Sequence, residues 1–271
     1  MNQKTFFLFL LMFLSLSLIP VQANTWSYYI KDSFEDSTFN GSRTPGSIFE
    51  MYGMAMRQTG DTVYFAFNVN MPITGTTANT HIAWGDFILN FGNLNSYSNN
   101  GSGLYAVHFA GSNSDSGVSQ NGLYGSVTTK SVSTTNQGWS SIQSYLNTAG
   151  SYASLGGVSY SSGYFDLNAA APTSINTGNL LTSINLLDAS QLATLGLNFS
   201  SGLSIPSQSL GVETFGFSFL LQPGMTGNFV AHLTMECSND MMAMTGTVPE
   251  ANTIALFALS MVVGYFLNKR K

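Results

Sequence analysis

Hydrophobic and polar residues alternate along several short stretches of the chain, and this two-residue period is typical of β-strands. The most regular stretch runs from Phe229 to Cys237, where every second side chain is apolar. Three further runs alternate in the same way: Phe87, Leu89 and Phe91; Tyr105, Val107 and Phe109; and Phe215, Phe217, Phe219 and Leu221. Because Gly, Asn, Ser or Pro bounds each stretch, the pattern predicts a mostly β protein, a β-sandwich or jelly roll.

A β-hairpin is predicted in the N-terminal part of this pattern. Gln58-Thr59-Gly60-Asp61 has the composition of a tight turn, and Pro72 ends the second strand. The residues predicted to face the core are Phe49, Met51, Gly53 and Ala55 before the turn, and Val63, Phe65, Phe67 and Val69 after it.

One short helix is predicted from its end signals. Asp188 and Gln191 have the spacing of a capping box, and Gly196 offers a left-handed stop. Leu187 and Leu192 occupy the positions of a hydrophobic staple.

A second short helix is predicted where Trp139, Ile142 and Leu146 fall on one face, with Gly150 as terminator. The surrounding segment, Ser112–Ser162, is rich in Ser, Gly and Thr, and we expect long loops there. No repeat and no second domain is evident, so residues 24–247 are interpreted as one domain.

The N-terminus has the organisation of a secretory signal peptide. Lys4 supplies the positive region, Phe6–Ile19 the apolar core and Val21-Gln22-Ala23 a small-x-small cleavage site. The apolar core is shorter than the roughly 20 residues that span a bilayer, which argues against an uncleaved first helix. Residues 1–23 are therefore predicted to be removed, leaving Asn24 as the first residue.

The C-terminus has the pattern of a membrane anchor. Ala251–Leu267 is predominantly apolar and just long enough to form a transmembrane helix, and Lys269-Arg270-Lys271 follows it. Because cationic residues are retained on the cytoplasmic side, the rest of the chain is predicted to lie outside. A buried C-terminal helix is the alternative, although such a helix is seldom apolar on every face.

Val248-Pro249-Glu250, the apolar span and the basic end together resemble a PEP-CTERM sorting signal over residues 248–271. The resemblance implies an exosortase-type enzyme that cuts near Pro-Glu and passes the protein to the surface. The chain departs from the family pattern at Ala251, where a second proline is usual, and in ending on Lys-Arg-Lys. A plain tail anchor is the competing interpretation.

Four stretches of the body are similar to exosortase-dependent surface proteins of the cyanobacterial type. They are SIFEMYGMAMRQTGDTVYFAFNVNMPITG (47–75), IAWGDFILNF (82–91), ETFGFSF (213–219) and FVAHLTMECSND (229–240). This resemblance implies a surface location and no particular chemistry.

Charge and composition narrow the possible partners. Charged residues are 8% of the chain against about a quarter in ordinary soluble domains, and aromatic residues are 13%. The basic residues of the body are scattered rather than clustered: Lys31, Arg43, Arg57 and Lys130. Nucleic acid is therefore not an expected partner, whereas a neutral polar surface suits polysaccharide.

Candidate catalytic residues are few. His81, His108 and His232 lack the spacing of a zinc site, no GxSxG elbow is present, and His232 is interpreted as a sheet-surface residue. Glu213 and Glu236 are the two carboxylates considered as a glycosidase pair, to be brought together by strands. Since no local motif supports such a site, we do not expect an enzyme.

Calcium is the cofactor for which the sequence offers candidate ligands. Asp32, Glu35, Asp36 and Asn40 form an oxygen-rich stretch, and Ca²⁺ accepts carboxylate and amide oxygens. The spacing is not that of an EF-hand, because the twelfth position counted from Asp36 is Ser47. A solvated acidic turn is the alternative.

Cys237 is the single cysteine, so no intramolecular disulfide can form. Its place in the alternating stretch 229–237 predicts a buried, unreactive thiol.

The sequence as a whole predicts an exported bacterial surface or matrix protein with a structural or adhesive role. It would be anchored transiently by its C-terminal helix and handled by an exosortase. A carbohydrate-binding module for exopolysaccharide, with or without Ca²⁺, is the alternative. The rings considered as sugar platforms are Trp26, Trp84, Tyr105 and Trp139.

Overall fold

The structure is a computed structural model that describes residues 25–77, 81–111, 114–206 and 209–249. Within these ranges the chain is mostly β, as the alternation predicts. Its strands are β1 Tyr28–Lys31, β2 Thr38–Phe39, β3 Ser42–Arg43, β4 Met51–Thr59, β5 Thr62–Val69, β6 Phe87–Asn90, β7 Leu104–His108, β8 Gly122–Lys130, β9 Ser174–Thr182, β10 Asn185–Asp188, β11 Glu213–Leu220, β12 Gly227–Thr234 and β13 Met241–Val248. Its α-helices are α1 Ile142–Ala149, α2 Ala189–Thr194 and α3 Phe199–Gly202, and 3₁₀ turns occupy Ser133–Asn136, Gly150–Tyr152 and Tyr160–Ser162.

The strands form two main sheets. Sheet 1 has five strands in the order β1-β4-β5-β11-β10, and sheet 2 has six in the order β13-β12-β6-β7-β8-β9. The short strands β2 and β3 pair only with each other. All pairings between these strands are antiparallel.

Side chains from both sheets meet in one central core. Phe65 and Phe217 enter it from sheet 1, and Phe87 enters it from sheet 2. The rings of Phe65 and Phe87 have centroids 4.6 Å apart, so the two sheets are in direct contact. The core-facing positions predicted for β5, β6, β11 and 229–237 are confirmed: Val63, Phe65, Phe67, Val69, Phe87, Leu89, Phe215, Phe217, Phe219, Phe229, Ala231, Leu233, Met235 and Cys237 are all buried in it.

The predicted hairpin is present, but its first strand does not alternate as expected. Thr59 pairs with Thr62 across the turn, and the register shifts between Met51 and Gly53. A β-bulge changes which face the following side chains occupy. Met54 and Met56 therefore lie in the central core, whereas Ala55 packs on the opposite face of sheet 1. The prediction that Gly53 and Ala55 share the face of Met51 is wrong.

The outer faces of both sheets are also covered. Leu192 of α2 and Phe199 of α3 pack against Ala55 and Ala66 on sheet 1. Ile142 of α1, with Tyr164 and Phe165, packs against Val230 and Ala243 on sheet 2. Because this second layer covers β12, His232 is fully buried, and its interpretation as a sheet-surface residue is wrong.

Both predicted helices are present, but Trp139 precedes α1, so the prediction that it shares a helical face with Ile142 and Leu146 is wrong. The capping box of Asp188 and Gln191 is formed at α2, and Gly196 has a φ of 83° beyond its end. Helix α1 begins after Ser141, whose side chain accepts a hydrogen bond from the Ser144 backbone N–H, and it ends at Gly150.

The segment Ser112–Ser162 is more ordered than its composition predicts. It contains the nine residues of β8 as well as α1, so the expectation of long loops is wrong for much of it. The Ser and Thr residues of this segment satisfy backbone groups, and the Ser133 hydroxyl, for example, donates to the Trp139 carbonyl at 2.6 Å.

The predicted terminal segments fall outside the described residues. These are the signal peptide with Val21 and Ala23, Glu250, the transmembrane segment 251–267 and the basic end Lys269-Arg270-Lys271. Over the ranges that are described, no helix has both the length and the hydrophobicity needed to cross a bilayer. Val248 and Pro249 are described, and Val248 is the last residue of β13.

Candidate functional site: a buried cluster of carboxylates

Four carboxylates lie together at one end of the two sheets. Asp32 is 3% exposed, and Asp36, Glu50 and Asp240 are 0% exposed. Acidic side chains are almost never fully buried unless they are paired with a cation or coordinate a metal. This set, the carboxylate cluster, is therefore the most unusual chemical feature of the described residues.

The cluster is assembled from segments that are distant in sequence. Asp32 follows β1, and Asp36 lies in the same connection before β2. Glu50 directly precedes β4 in sheet 1, and Asp240 directly precedes β13 in sheet 2. The cluster thus joins the ends of strands from both sheets.

Three members are close enough to share one ion. One carboxylate oxygen from each of Asp36, Glu50 and Asp240 lies within 4.8 Å of the other two. Among the described residues this is the only such trio of His, Cys, Asp or Glu side chains.

Backbone and hydroxyl donors hold two of the carboxylates rigidly. Glu50 accepts hydrogen bonds from the Ser37 hydroxyl at 2.8 Å and from the Gly46 N–H at 2.7 Å. Asp240 accepts one from the Met51 N–H at 2.8 Å, and this bond crosses from sheet 2 to sheet 1. Both side chains are therefore fixed by the chain segments that they connect.

The other two carboxylates are only half satisfied. The Asp32 Oδ1 atom accepts a hydrogen bond from the Ser33 N–H, and the Asp36 Oδ2 atom accepts one from the Ser154 N–H at 2.7 Å. The Asp32 Oδ2 and Asp36 Oδ1 atoms are buried and have no hydrogen-bond partner. Such atoms are costly to bury unless a donor or a cation reaches them.

Burial raises the pKa of all four carboxyl groups. The pKa of Asp36 rises to about 7, and the pKa values of Asp32, Glu50 and Asp240 also lie above their ordinary range. Loss of hydration is the largest cause, and repulsion from neighbouring carboxylates adds to it for Asp32, Asp36 and Asp240. The two ion pairs of the described residues, Arg43–Glu35 and His108–Asp86, include none of the cluster.

Two tyrosines cover the cluster on the side of α1. The Tyr145 hydroxyl lies 3.5 Å from the Asp240 Oδ1 atom, a long hydrogen bond, and the Tyr160 hydroxyl is buried without a partner. Both rings also line a small cavity between α1 and the start of β13.

The structure brings together two of the four residues considered for calcium. Asp32 and Asp36 are in the cluster, whereas the exposed Glu35 lies 3.7 Å from Arg43 in an ion pair. Asn40 lies on the surface in the β2–β3 turn, with a φ of 50°. Glu50 and Asp240 were missed because no local spacing links them to Asp32, and the signal that exists is weak: each is an acid immediately before an apolar strand.

The three histidines and the second acidic pair lie in different environments. His81 is exposed, and His108 is buried with its Nδ1 atom 2.7 Å from Asp86 Oδ1. Glu236 is buried, and its two oxygens accept hydrogen bonds from the backbone N–H groups of Ala83 and Asp115. Burial raises the pKa of Glu236 to about 7. Glu213, in contrast, opens β11 in sheet 1.

His232 is expected to make the protein sensitive to acid. Its Nε2 atom donates to the Pro172 carbonyl at 3.0 Å, its Nδ1 atom has no partner, and the rings of Tyr97 and Phe165 pack on it. Burial lowers its pKa to about 4, so the folded protein binds fewer protons than the unfolded chain between pH 6.5 and 4. His232 is expected to cost up to about 3 kcal/mol of the free energy of unfolding as the pH falls through that window.

The measurement is denaturant unfolding of wild type and His232→Gln at pH 7 and pH 4.5. Glutamine keeps an N–H donor for Pro172 and does not titrate, so the variant should lose less stability than wild type between the two pH values. Comparing the two proteins cancels the carboxyl groups, which titrate in both. An equal loss in both would contradict the assignment to His232.

Of the four rings considered as sugar platforms, two are buried and two are partly buried. Trp26 is 7% and Trp84 0% exposed, so neither can stack on a sugar. Tyr105 packs against Phe91 and donates to the Pro223 carbonyl. Trp139 is half-buried, and its indole N–H donates to the Thr38 hydroxyl at 2.9 Å.

The prediction for Cys237 is confirmed. The thiol is buried in the central core, and burial raises its pKa to about 12. A thiol that stays protonated is a poor nucleophile.

Comparison with family models, with curated proteins and with solved structures finds no match for this chain.

Proposed function

We propose that this chain is an exported surface or extracellular-matrix protein with a structural or adhesive role. Its body, residues 24–247, would be a β-sandwich module, and residues 248–271 would direct it to an exosortase-type processing enzyme. The protein would cross the inner membrane, be held there by segment 251–267 and then pass to the cell surface. The role is one of assembly or adhesion and needs no catalytic site.

The placement of the two ends of the folded body carries this proposal. Thr25, two residues after the predicted cleavage site, and Pro249 line the same surface groove. Export through a signal peptide and retention by a C-terminal helix both hold the chain at the membrane. A body whose two ends lie together can be held at both without strain on its sheets.

The end of β13 supports processing at Pro249-Glu250 in particular. Val248 is 2% exposed and pairs with Gly227, whereas Pro249 is exposed. A cut on the C-terminal side of Pro249 would therefore leave all of sheet 2 in place. The mature body would keep its fold after the membrane segment is removed.

Removing Glu250–Lys271 is expected to change where the protein goes. The truncated chain keeps Val248 in the core, so the body should fold, but it has neither the anchor nor the sorting signal. We expect it in the periplasm or medium instead of the surface fraction. Fractionation combined with intact-mass analysis of the recovered protein makes the comparison.

A second variant, Pro249→Ala with Glu250→Ala, separates sorting from anchoring. It retains the apolar span, so it should stay in the membrane with its tail uncleaved, while the wild type loses the tail. If the wild type also retains its tail, a plain anchor replaces the exosortase in this proposal. If the truncated chain reaches the same fraction with the same mature mass as wild type, the sorting hypothesis fails altogether.

A further inference from the structure

We propose that Asp36, Glu50 and Asp240, with Asp32 beside them, form a binding site for one Ca²⁺ ion that ties the two sheets together. The site deepens the proposed function, because a surface module meets calcium outside the cell. Its existence depends only on the carboxylate cluster and not on how the chain is sorted.

The charge of the cluster is the first reason. Four carboxylates are removed from water, and neither ion pair of the described residues neutralises any of them. An isolated buried carboxylate is unstable unless it binds a proton or a cation. Without a cation, several of the four neighbouring carboxylates would have to be protonated. One divalent cation neutralises two negative charges and attracts the remaining carboxylates.

Distance is the second reason. Ca²⁺ binds oxygens at 2.3–2.6 Å, so two of its ligands can be at most about 5 Å apart. The three oxygens of Asp36, Glu50 and Asp240 lie within 4.8 Å of one another, which fits this limit. The hydrogen bonds to Glu50 and Asp240 already hold those side chains in place, so little reordering is needed on binding.

The unpartnered oxygens are the third and independent reason. The Asp36 Oδ1 and Asp32 Oδ2 atoms are buried and have no hydrogen-bond partner, although the other oxygen of each group accepts a hydrogen bond from a backbone N–H. Buried acceptors in folded proteins almost always have a partner. A bound cation would supply the missing partner, because the neighbouring carboxylates are themselves acceptors.

The ligand chemistry selects calcium among the common ions. The cluster offers carboxylate oxygens and neither a histidine nor a thiolate, so zinc and copper are not favoured. Mg²⁺ gives up its waters reluctantly and requires a near-octahedral shell, whereas Ca²⁺ accepts an irregular shell of protein oxygens. A fully buried carboxylate site therefore suits Ca²⁺ better.

Bound calcium would act on the fold through the segments that carry the ligands. Glu50 belongs to the start of β4 in sheet 1, Asp240 to the start of β13 in sheet 2, and Asp36 to the connection that also meets Ser154 beyond α1. One ion would thus join three parts of the chain that otherwise repel one another. Extracellular calcium modules bind with dissociation constants of about 10⁻⁴–10⁻³ M, so such a site would fill after export.

Thermal unfolding of the full chain in mild detergent tests the site. After treatment with EDTA and its removal, adding calcium at about 100 times the dissociation constant should raise Tm by about 5–10 °C, with a smaller effect of magnesium. Asp36→Asn and Glu50→Gln should each lose this increase. Glu35→Gln, an exposed acid in the same connection, is the matched control and should keep it.

Terbium luminescence tests the same site without any variant of the ligands. Tb³⁺ bound among these carboxylates would lie near Tyr145, so excitation of tyrosine should give sensitised emission that calcium displaces. Tyr145→Phe should lower the emission while Tm still responds to calcium.

If calcium changes neither Tm nor terbium emission, the carboxylates hold protons only and the proposal is overturned. It is equally overturned if the variants Asp36→Asn and Glu50→Gln fold and keep the full response, since the ion then binds elsewhere. Neither result bears on sorting, which is read from location and mass.

Discussion

Phe217→Ala is expected to lower the free energy of unfolding by about 3–5 kcal/mol. Phe217 is 0% exposed, and its ring centroid lies 5.5 Å from those of both Phe87 and Phe109. Its neighbours therefore come from sheet 2 as well as from sheet 1. Truncation removes the buried ring and leaves a cavity between the sheets, which the paired strands on either side cannot close.

Denaturant unfolding of the full chain, followed by tryptophan fluorescence, measures this loss. Leu220→Ala is the matched control, because Leu220 ends the same strand and is 55% exposed; it should change the free energy by less than about 0.5 kcal/mol. Phe217→Leu keeps most of the volume and should cost less than alanine does. A loss below about 1 kcal/mol for Phe217→Ala would show that the two sheets do not depend on this contact.

The position of Phe217 is an example of what the sequence predicts well. Side chains of a strand alternate between two faces, so the run Phe215, Phe217 and Phe219 identifies one face without knowledge of the partner strands. The same reasoning fails at β4, where the bulge after Met51 moves Met54 and Met56 to the face predicted for Ala55. A bulge depends on how two strands pair, and a single strand does not record it.

The layer that covers the outer face of sheet 2 is not predicted by the sequence. Val230 and His232 alternate with core residues and look like a solvent-facing set, yet α1 and the segment around Phe165 bury them. Single-strand periodicity reports that two faces differ and not what covers each face. The capping box at α2, in contrast, is a local signal between Asp188 and Gln191, and it was readable for that reason.

The sequence predicts only part of the carboxylate cluster. Asp32 and Asp36 are close in sequence and were recognised as oxygen ligands, but an exposed Glu35 between them gave no sign that they turn inward. Glu50 and Asp240 reach the same place only because β4 and β13 begin at the same edge of facing sheets. Because the topology assembles the site, the sequence alone predicts oxygen ligands and two of the four residues of the cluster.

Asp86→Ala is expected to cost about 3–5 kcal/mol of the free energy of unfolding. Asp86 is buried, lies 2.7 Å from His108 Nδ1, and accepts hydrogen bonds from the Ser116 hydroxyl at 2.8 Å and the Ile175 N–H at 2.6 Å. It therefore links β7, the segment before β8 and the edge strand β9. Alanine would leave the buried His108 imidazole, the buried Ile175 N–H and the partly buried Ser116 hydroxyl without their acceptor, and unpaired buried groups cost more than the bonds themselves contribute.

A double-mutant cycle with His108→Ala separates these costs. If much of the loss comes from the stranded imidazole, Asp86→Ala should be clearly less destabilising when His108 is already alanine, and the coupling should exceed about 1 kcal/mol. Asp61→Ala, at the exposed turn between β4 and β5, is the matched control and should change stability by less than about 0.5 kcal/mol.

The arrangement of Asp86, His108 and Ser116 differs from that of a nucleophilic triad. The Ser116 hydroxyl donates to Asp86, and the other histidine nitrogen, Nε2, lies 3.0 Å from the Gly111 carbonyl. The His108–Asp86 pair is expected to stabilise the fold, and a coupling near zero would contradict that role.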